Sequence, residues 1–410
     1  MNLRREEKAM TGIEDRFSPP ARFADAGEQL HDLVSQQLGS DDFGPDDYLP
    51  GLQMLLLSFD YDPHLTELGR QMVWGEAYNA LFARAHTYRA LKQNPACLQQ
   101  QIGSPVVITG IPRTGTTALH KLMAVDEQFQ GLQTWLIGNP MPRPPRETWD
   151  GHPYFQKTVA QLERRYQHNP DRKVAHMMAA EEVDECCLIL RQGFVSNVWS
   201  CAWSAASYDL WLQTQSERHC YDHLQRALQL IGSNDPNKRW LLKNPGHIAN
   251  LDLLFAVFPD ARVIQTHRDP ASAIPSLCAM FIRSHDVLEG ASSAEEKIRR
   301  DLRARLLGIR EMEKWARAIE DAEPVRRQYR DQVLDVIHQN FHRDPLGEIE
   351  RIYRFINADL SDTTLAAMRQ RISDDPERQH GKHRYHVSDF GLTEAQIRAR
   401  FGDYNQRFGL

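Results

Sequence analysis

The segment PVVITGIPRTGTTAL, residues 105–119, constrains the fold of this chain more than any other. Its apolar and β-branched beginning predicts a buried strand, and the residues after Gly115 predict the start of a helix. Gly110 and Gly115 have the G-x-x-x-x-G spacing of a phosphate-binding loop. Glycine lets backbone N–H groups turn towards an anion, and a helix start adds partial positive charge and unpaired donors. The order strand, loop, helix therefore predicts an anion site on an α/β fold.

The loop differs from that of nucleotide-hydrolysing proteins at one position. Thr116 stands where their motif has lysine, and the one cation within the loop is Arg113. Because that lysine contacts the β- and γ-phosphates of a nucleotide, its absence disfavours ATP hydrolysis. A planar guanidinium suits an anion that accepts two hydrogen bonds at once. A glycine turn that binds nothing is the alternative interpretation.

Four β-type runs predict the central sheet, at residues 106–109, 240–243, 262–266 and, more weakly, 333–336. Each run precedes a helical pattern, which is typical of parallel strands joined by crossover helices. We therefore predict an α/β fold of the P-loop NTPase-like type, with a parallel central sheet flanked by helices.

The rest of the chain reads as mostly helical. Residues 1–100 predict a helical N-terminal section packed on the core, and residues 101–410 predict the main domain. Within it, residues 129–237 form a largely helical insertion. Residues 295–320 predict a long amphipathic helix with Arg and Glu on its solvated face. Its apolar residues recur three or four apart: Leu302, Leu306, Ile309, Met312, Ala316 and Ile319.

A second motif follows the third predicted strand. Asp269 is a good helix N-cap and Pro270 suits the first helical position. Arg268 would then stand at the carboxyl end of a strand, where open α/β sheets bind ligands. Ser276 follows eight residues later on the helix, and together the two side chains could hold a second phosphate. Taken alone, the motif is equally compatible with a capped helix that binds nothing.

Composition excludes several classes of protein. The 410 residues carry 49 Lys and Arg against 55 Asp and Glu, a net charge of −6, which disfavours a general nucleic-acid binder. No apolar run reaches the ~18–20 residues of a membrane span, and the N-terminus lacks the pattern of a secretory signal. The six cysteines form no C-x-x-C pair and show no metal-ligand spacing. We expect a cytoplasmic protein with reduced thiols and no metal.

Together the two motifs resemble the sulfotransferase family that uses 3′-phosphoadenosine 5′-phosphosulfate (PAPS). GIPRTGTT resembles its 5′-phosphosulfate loop, and RVIQTHRDPASAIPS resembles its 3′-phosphate motif, in the same order along the chain. The stretch from RWLLKNPGH to RVIQTHRDP and the C-terminal HRYHVSDFGL are similar to the broad bacterial branch of the family. The resemblance implies sulfuryl transfer from PAPS to a hydroxyl, or less readily an amine, without a metal, leaving adenosine 3′,5′-bisphosphate.

The resemblance also implies roles for individual residues. Arg113 would stabilise the transferring sulfuryl group, and Arg268 with Ser276 would hold the 3′-phosphate. The 5′ end would rest on backbone N–H groups of five residues: Thr114, Gly115, Thr116, Thr117 and Ala118. A basic cluster near the C-terminus could add a contact to the 3′-phosphate or lie in solvent: Lys382, His383 and Arg384.

The general base has more than one candidate. His247 follows the predicted strand that ends in Lys243, at a spacing similar to that in cytosolic members of the family. Lys243 could contact the sulfuryl group or the leaving phosphate. His247 could equally cap or pack the next helix. The alternative bases lie in one stretch, where the acidic residues could also be a solvated helix face: His176, Glu181, Glu182 and Glu185.

The acceptor is the least constrained part of the reaction. Aromatic residues of the insertion could line an apolar pocket for a lipid, a sterol-like or a phenolic alcohol, or they could be core: Phe194, Trp199, Trp203, Tyr208, Trp211 and Tyr221. The insertion would then act as an acceptor lid. A small-molecule or nucleoside kinase and a catalytically silent nucleotide-binding module are the rival functions. A homodimer and a sulfate donor other than PAPS remain open.

Overall fold

The protein, represented by a computed structural model, is described over residues 18–168, 178–374 and 385–410. In this part of the chain one sheet of five strands forms the centre of the molecule. The strands are β1 Val106–Gly110, β2 Phe129–Gln130, β3 Arg239–Lys243, β4 Arg262–His267 and β5 Val333–Ile337.

All pairings within the sheet are parallel, in the order β2-β3-β1-β4-β5. Each of the four β-type runs of the sequence lies in one of these strands, which confirms the predicted α/β class. The sequence pattern missed β2 because two residues are too short to show a period. β1 lies at the centre of the sheet, so its carboxyl end and the loop that follows have a strand on either side.

The sheet carries helices on both faces. Side chains alternate along a strand, and β1 accordingly divides between two apolar clusters. Val107 packs with Leu242 and Val263 in one cluster, whereas Val106 and Ile108 belong to the other. A strand buried on both faces reads as a continuous apolar run, which is why β1 was visible in the sequence.

Helices make up most of the remaining described chain. Three precede β1: α1 Gly27–Leu38, α2 Leu49–Tyr61 and α3 Glu67–Gln93. One follows β1 and six lie between β2 and β3: α4 Thr116–Met123, α5 Thr134–Ile137, α6 Pro153–His168, α7 Cys187–Leu190, α8 Asn197–Ala202, α9 Ala206–Leu212 and α10 Arg218–Ile231. Eight follow β3: α11 Leu251–Val257, α12 Pro270–Glu289, α13 Ala294–Gln328, α14 His338–Arg343, α15 Pro345–Ile356, α16 Asp362–Asp374, α17 Glu394–Arg400 and α18 Gly402–Phe408. None of these helices is long and apolar enough to cross a membrane.

The aromatic residues of the insertion are core residues. Phe194 and Trp199 stack at 5.6 Å between ring centroids, and Trp203 meets Phe59 of α2 edge-on. Tyr208 is fully buried and donates its hydroxyl to the Phe194 carbonyl. These side chains form one apolar cluster with the N-terminal helices. These four side chains therefore join the insertion to the N-terminal section, which favours the core interpretation for them over an acceptor pocket.

Buried histidines make the stability of the fold depend on pH. Burial lowers the pKa of His120 and His247 to about 3 and that of His285 to about 4. In the unfolded chain a histidine has a pKa of about 6.5, so between about pH 6.5 and 4 the unfolded chain binds more protons than the folded one. Stability therefore falls as the pH falls, by up to ~1.4 kcal/mol per pH unit for each histidine.

We expect urea unfolding to give a clearly smaller free energy of unfolding at about pH 5.5 than at about pH 7.5. A free energy of unfolding that is the same at both pH values would contradict the buried, neutral state of these histidines.

Candidate active site

The glycine loop is a tight turn between β1 and α4. Gly110 has a φ of +138°, and a Cβ at this position would lie 2.4 Å from the Thr266 carbonyl oxygen of β4. Gly115 has a φ of +92° and is the residue before α4. Thr114 donates its hydroxyl to the Ile111 carbonyl at 2.6 Å. Only glycine fits the first position without moving β4, so the spacing seen in the sequence reflects a geometric requirement.

The N-terminus of α4 supplies backbone donors. The first N–H groups of a helix have no acceptor within that helix, and here they belong to Thr116, Thr117 and Ala118. The loop before them ends at the carboxyl edge of the sheet, with its residues close to the ends of β4 and β5. The arrangement is the one that binds phosphate or sulfate groups in α/β proteins.

Residues of the two sequence motifs contact each other at this edge. Arg113 Nε donates to Ser276 Oγ at 3.1 Å, across 163 positions of the chain. Arg268 Nη1 donates to the Arg113 carbonyl at 2.9 Å. As the sequence predicts, Asp269 caps α12 by accepting from the Ala271 N–H at 2.9 Å. The structure thus brings together the three side chains predicted from separate motifs.

Positive charge accumulates around Arg113. The surrounding protein partly excludes water from its guanidinium, and Arg268 and then Arg283 add repulsion of like charge; all three effects lower the pKa of Arg113. Arg283 stands seven residues after Ser276 on α12, so the two lie on one helix face. Arg283 was missed in the sequence because its position depends on the path of α12. Arginines that repel one another favour an anion between them.

Lys243 connects the loop to the acidic stretch of the insertion. It ends β3, is 2% exposed, and donates to Thr117 Oγ1 at 3.1 Å. It also forms an ion pair with Glu185, the residue just before Cys186. The backbone N–H of Cys186 donates to the Lys243 carbonyl at 2.9 Å, which holds the insertion against the end of β3. Lys243 therefore lies beside the glycine loop with a carboxylate next to it.

His247 has the environment of a packed histidine. It has no exposed surface, and its Nδ1 is 2.7 Å from the Tyr221 hydroxyl. Its Nε2 is buried without a protein partner among the described residues. Burial lowers its pKa to about 3, which makes it a weak proton acceptor. This environment disfavours His247 as the general base predicted from the sequence and favours the alternative that it packs the turn after β3.

The three acidic candidates differ in what they contact. Glu181 is exposed. Glu182 pairs with Lys121 at 2.6 Å and with Arg371 at 3.4 Å, so its charge is compensated by two cations. Glu185 alone of the three pairs with Lys243 beside the loop. Glu185 is thus distinguished by its ion pair with Lys243, while Glu182 lines a small cavity with Thr117 and Lys243.

His338 is a site residue that the sequence reasoning missed. It follows β5 directly, and a Cβ on Gly115 would lie 3.1 Å from its Cδ2. Burial, and then the nearby charges of His342 and Arg268, lower the pKa of His338 to about 3. The signal that could have found it is the one used for Arg268, a polar residue at the carboxyl end of a parallel strand.

Some of the predicted site residues lie outside the described part of the chain. They are His176, Lys382, His383 and Arg384. The first described residue after that basic cluster, Tyr385, is close enough to Arg113 to influence its charge. Among the described residues, no three His, Cys, Asp or Glu side chains are grouped as metal ligands.

A family model described as the sulfotransferase family matches residues 105–362, which is more than half of the chain. The chain belongs to the sulfotransferase family. The match begins just before β1 and includes the loop, Lys243, Arg268 and Ser276. The protein is therefore an enzyme, a transferase of sulfuryl groups.

Solved and curated relatives agree with this assignment. The sulfotransferase resembles the crystal structure of STF1 from Mycobacterium tuberculosis with a TM-score of 0.82 and 35% identity, over 93% of this chain and 100% of the other. It resembles the crystal structure of STF9 from Mycobacterium avium with a TM-score of 0.84 and 25% identity, over 93% of this chain and 96% of the other. It is also 25% identical to the omega-hydroxy-beta-dihydromenaquinone-9 sulfotransferase Stf3 of Mycobacterium bovis, over 74% of this chain and 75% of that one.

Proposed function

We propose that this sulfotransferase moves the sulfuryl group of PAPS to the hydroxyl of a small apolar acceptor. The observation that carries the proposal is the contact of Arg113 with Ser276 and Arg268 beside the glycine loop. The loop and the start of α4 suit one anionic group, and Arg268 with Ser276 suit a second. A donor with a 5′-phosphosulfate and a 3′-phosphate has two anionic groups of this kind.

The proposed chemistry needs cations and one proton acceptor. The acceptor hydroxyl forms a new S–O bond while the S–O bond to the 5′-phosphate breaks, so negative charge grows on the bridging oxygen that leaves with the nucleotide. Arg113 and Lys243 are the cations that would stabilise this charge. The hydroxyl proton would pass to the carboxylate of Glu185, next to Lys243. Adenosine 3′,5′-bisphosphate is then the second product.

We propose a lipid-like alcohol as the acceptor class. The relatives in Mycobacterium bovis and Mycobacterium tuberculosis are named for an omega-hydroxylated dihydromenaquinone, a lipid-like molecule that carries a hydroxyl. A 25% identity supports the class of acceptor and not a specific compound. The acidic stretch that contains Glu185 belongs to the insertion, so the acceptor hydroxyl would meet the insertion at the loop.

Calorimetric titration tests the donor site directly. We expect adenosine 3′,5′-bisphosphate to bind at least ~100-fold more tightly than adenosine 5′-monophosphate, since the 3′-phosphate adds charge-assisted hydrogen bonds to Arg268 and Ser276. ATP should bind weakly, because the loop lacks the lysine that holds its outer phosphates. A preference for ATP would instead support a kinase, and the absence of binding by any of the three would support a silent module.

A further inference from the structure

Helix α13 presents an apolar stripe to solvent. Amphipathic helices normally direct their apolar face to the core, but here four large apolar residues on one face are 50–73% exposed. We call these residues the α13 stripe: Ile298, Leu302, Leu306 and Ile309. Three of them belong to the pattern that predicted the helix, so that part of the pattern does not mark a core face.

The same face is covered further along the helix. Ala316 is buried, and Met312 and Ile319 pack against the main apolar cluster. Arg400 of α17 pairs with Glu313 and Glu320 on this half of α13. The apolar face therefore runs the length of the predicted amphipathic segment, and the described part of the chain covers its second half but not its first. A stripe about 16 Å long stays open.

We propose that the α13 stripe is the interface of a symmetric homodimer, in which α13 packs antiparallel to α13 of a second copy. A two-fold interface requires that residue i contacts residue j while j contacts i. The stripe meets this condition. The midpoint between Ile298 and Ile309 and the midpoint between Leu302 and Leu306 both lie near positions 303 and 304. Antiparallel packing about this centre sets each apolar residue against an apolar residue of the other copy.

Charges beside the stripe favour the same arrangement. Asp301 and Arg305 are four residues apart, both are exposed, and they lie on one flank of the stripe. Within the described residues neither side chain makes a hydrogen bond or an ion pair. The midpoint between these two residues also lies near position 303. In the antiparallel arrangement each Asp301 would therefore face the Arg305 of the other copy. Two ion pairs would thus form across the interface.

A bilayer is the less suitable occupant of this face. Membrane-binding stripes are flanked by basic residues that attract anionic lipid headgroups. The flanks of the α13 stripe carry both signs, with Glu295 and Asp301 exposed as well as Lys297 and Arg305. The whole chain has a net charge of −6, which an anionic surface repels. Mixed charge in a symmetric pattern fits a second copy of the chain.

Sedimentation equilibrium of the full chain over a wide range of protein concentration tests the proposal. We expect a reversible monomer–dimer equilibrium whose dissociation constant rises at least ~100-fold in Leu302→Glu/Leu306→Glu, because dimerisation would bury unpaired charges. Leu57→Glu on α2, an exposed leucine outside the stripe, is the matched control and should dimerise like the unmodified protein. Since all three positions are exposed, circular dichroism should report an unchanged fold for each variant.

A charge exchange tests the geometry of the interface. Arg305→Asp should weaken the dimer, because aspartates would then face each other on that flank, and Arg305→Asp/Asp301→Arg should restore it. A chain that stays monomeric at every concentration would overturn the proposal, as would a dimer that the stripe substitutions leave intact. Binding to anionic vesicles that is lost in Leu302→Glu/Leu306→Glu, without dimerisation, would replace the second copy by a membrane surface.

Discussion

Turnover is expected to fall by about a hundred- to a thousandfold when Arg113 is replaced by alanine, while affinity for adenosine 3′,5′-bisphosphate falls by less than about tenfold. The bisphosphate keeps the oxygen that leaves with the nucleotide but carries no sulfuryl group, so Arg113 has no contact to make with the transferring group in that complex. Arg268, Ser276 and the backbone donors of the loop remain in the variant. An interaction made mainly in the transition state lowers the rate more than the binding of a product.

The control for this experiment follows from the backbone. Arg113 has a φ of +70°, which is unfavourable for any residue with a Cβ. Arg113→Ala and Arg113→Lys both keep the Cβ, so the strain of the loop is similar in each and the comparison isolates the guanidinium. Arg113→Lys keeps the charge without the planar fork and should lose less activity than Arg113→Ala. The test is to measure kcat and the affinity for adenosine 3′,5′-bisphosphate in both variants and in the unmodified enzyme. Equal losses of kcat and of affinity would contradict a role of Arg113 in the transition state.

The second large effect is expected at Glu185. Glu185→Gln should lower kcat by about a hundredfold or more, because an amide cannot accept the proton of the acceptor hydroxyl. The amide oxygen can still accept a hydrogen bond from Lys243, so much of the local structure should persist. Glu182→Gln is the matched control, since Glu182 lies in the same stretch but pairs with Lys121 and Arg371. We expect its kcat to stay within about tenfold of the unmodified enzyme.

The pH dependence of kcat separates a base from a merely structural partner of Lys243. With Glu185 as base, protonation of the carboxylate slows the unmodified enzyme at low pH, and this decline should disappear in Glu185→Gln. A variant with full activity would show that the base lies elsewhere, and His247→Gln would then be the next test. If bisphosphate binding is intact while both variants remain active, the donor site stands and only the base assignment fails.

The sequence predicted the parts of the fold and site that depend on local rules. Strands β1, β3, β4 and β5 showed as apolar runs because they are buried or lie next to buried neighbours, whereas β2 has only two residues. The glycine loop was visible because it needs glycine at Gly110, and Asp269 and Pro270 marked the start of α12 by ordinary capping chemistry. The sulfotransferase family was likewise identified from the order of these local motifs.

Long-range packing governs what the sequence left open. Glu185, Arg283 and His338 reach the loop from the insertion, from α12 and from the end of β5, and no local pattern specifies those approaches. Burial was equally invisible. The aromatics around Trp199 became core only because the N-terminal helices cover them, and His247 lost its access to solvent in the turn after β3.

For this protein, the sequence by itself determined the fold class and the family, and it located the glycine loop together with Arg113, Arg268 and Ser276 near it. These features depend on residue type and short spacing, which fix backbone conformation and hydrogen-bond donors within one strand, turn or helix. Only the tertiary structure decided which carboxylate lies beside Lys243 and which apolar face of α13 stays open. Both depend on contacts between distant parts of the chain, 58 positions apart for Lys243 with Glu185 and 80 and 87 for Arg400 with α13. Many pairings satisfy the same local pattern at such separations, and the packing of the whole chain selects one.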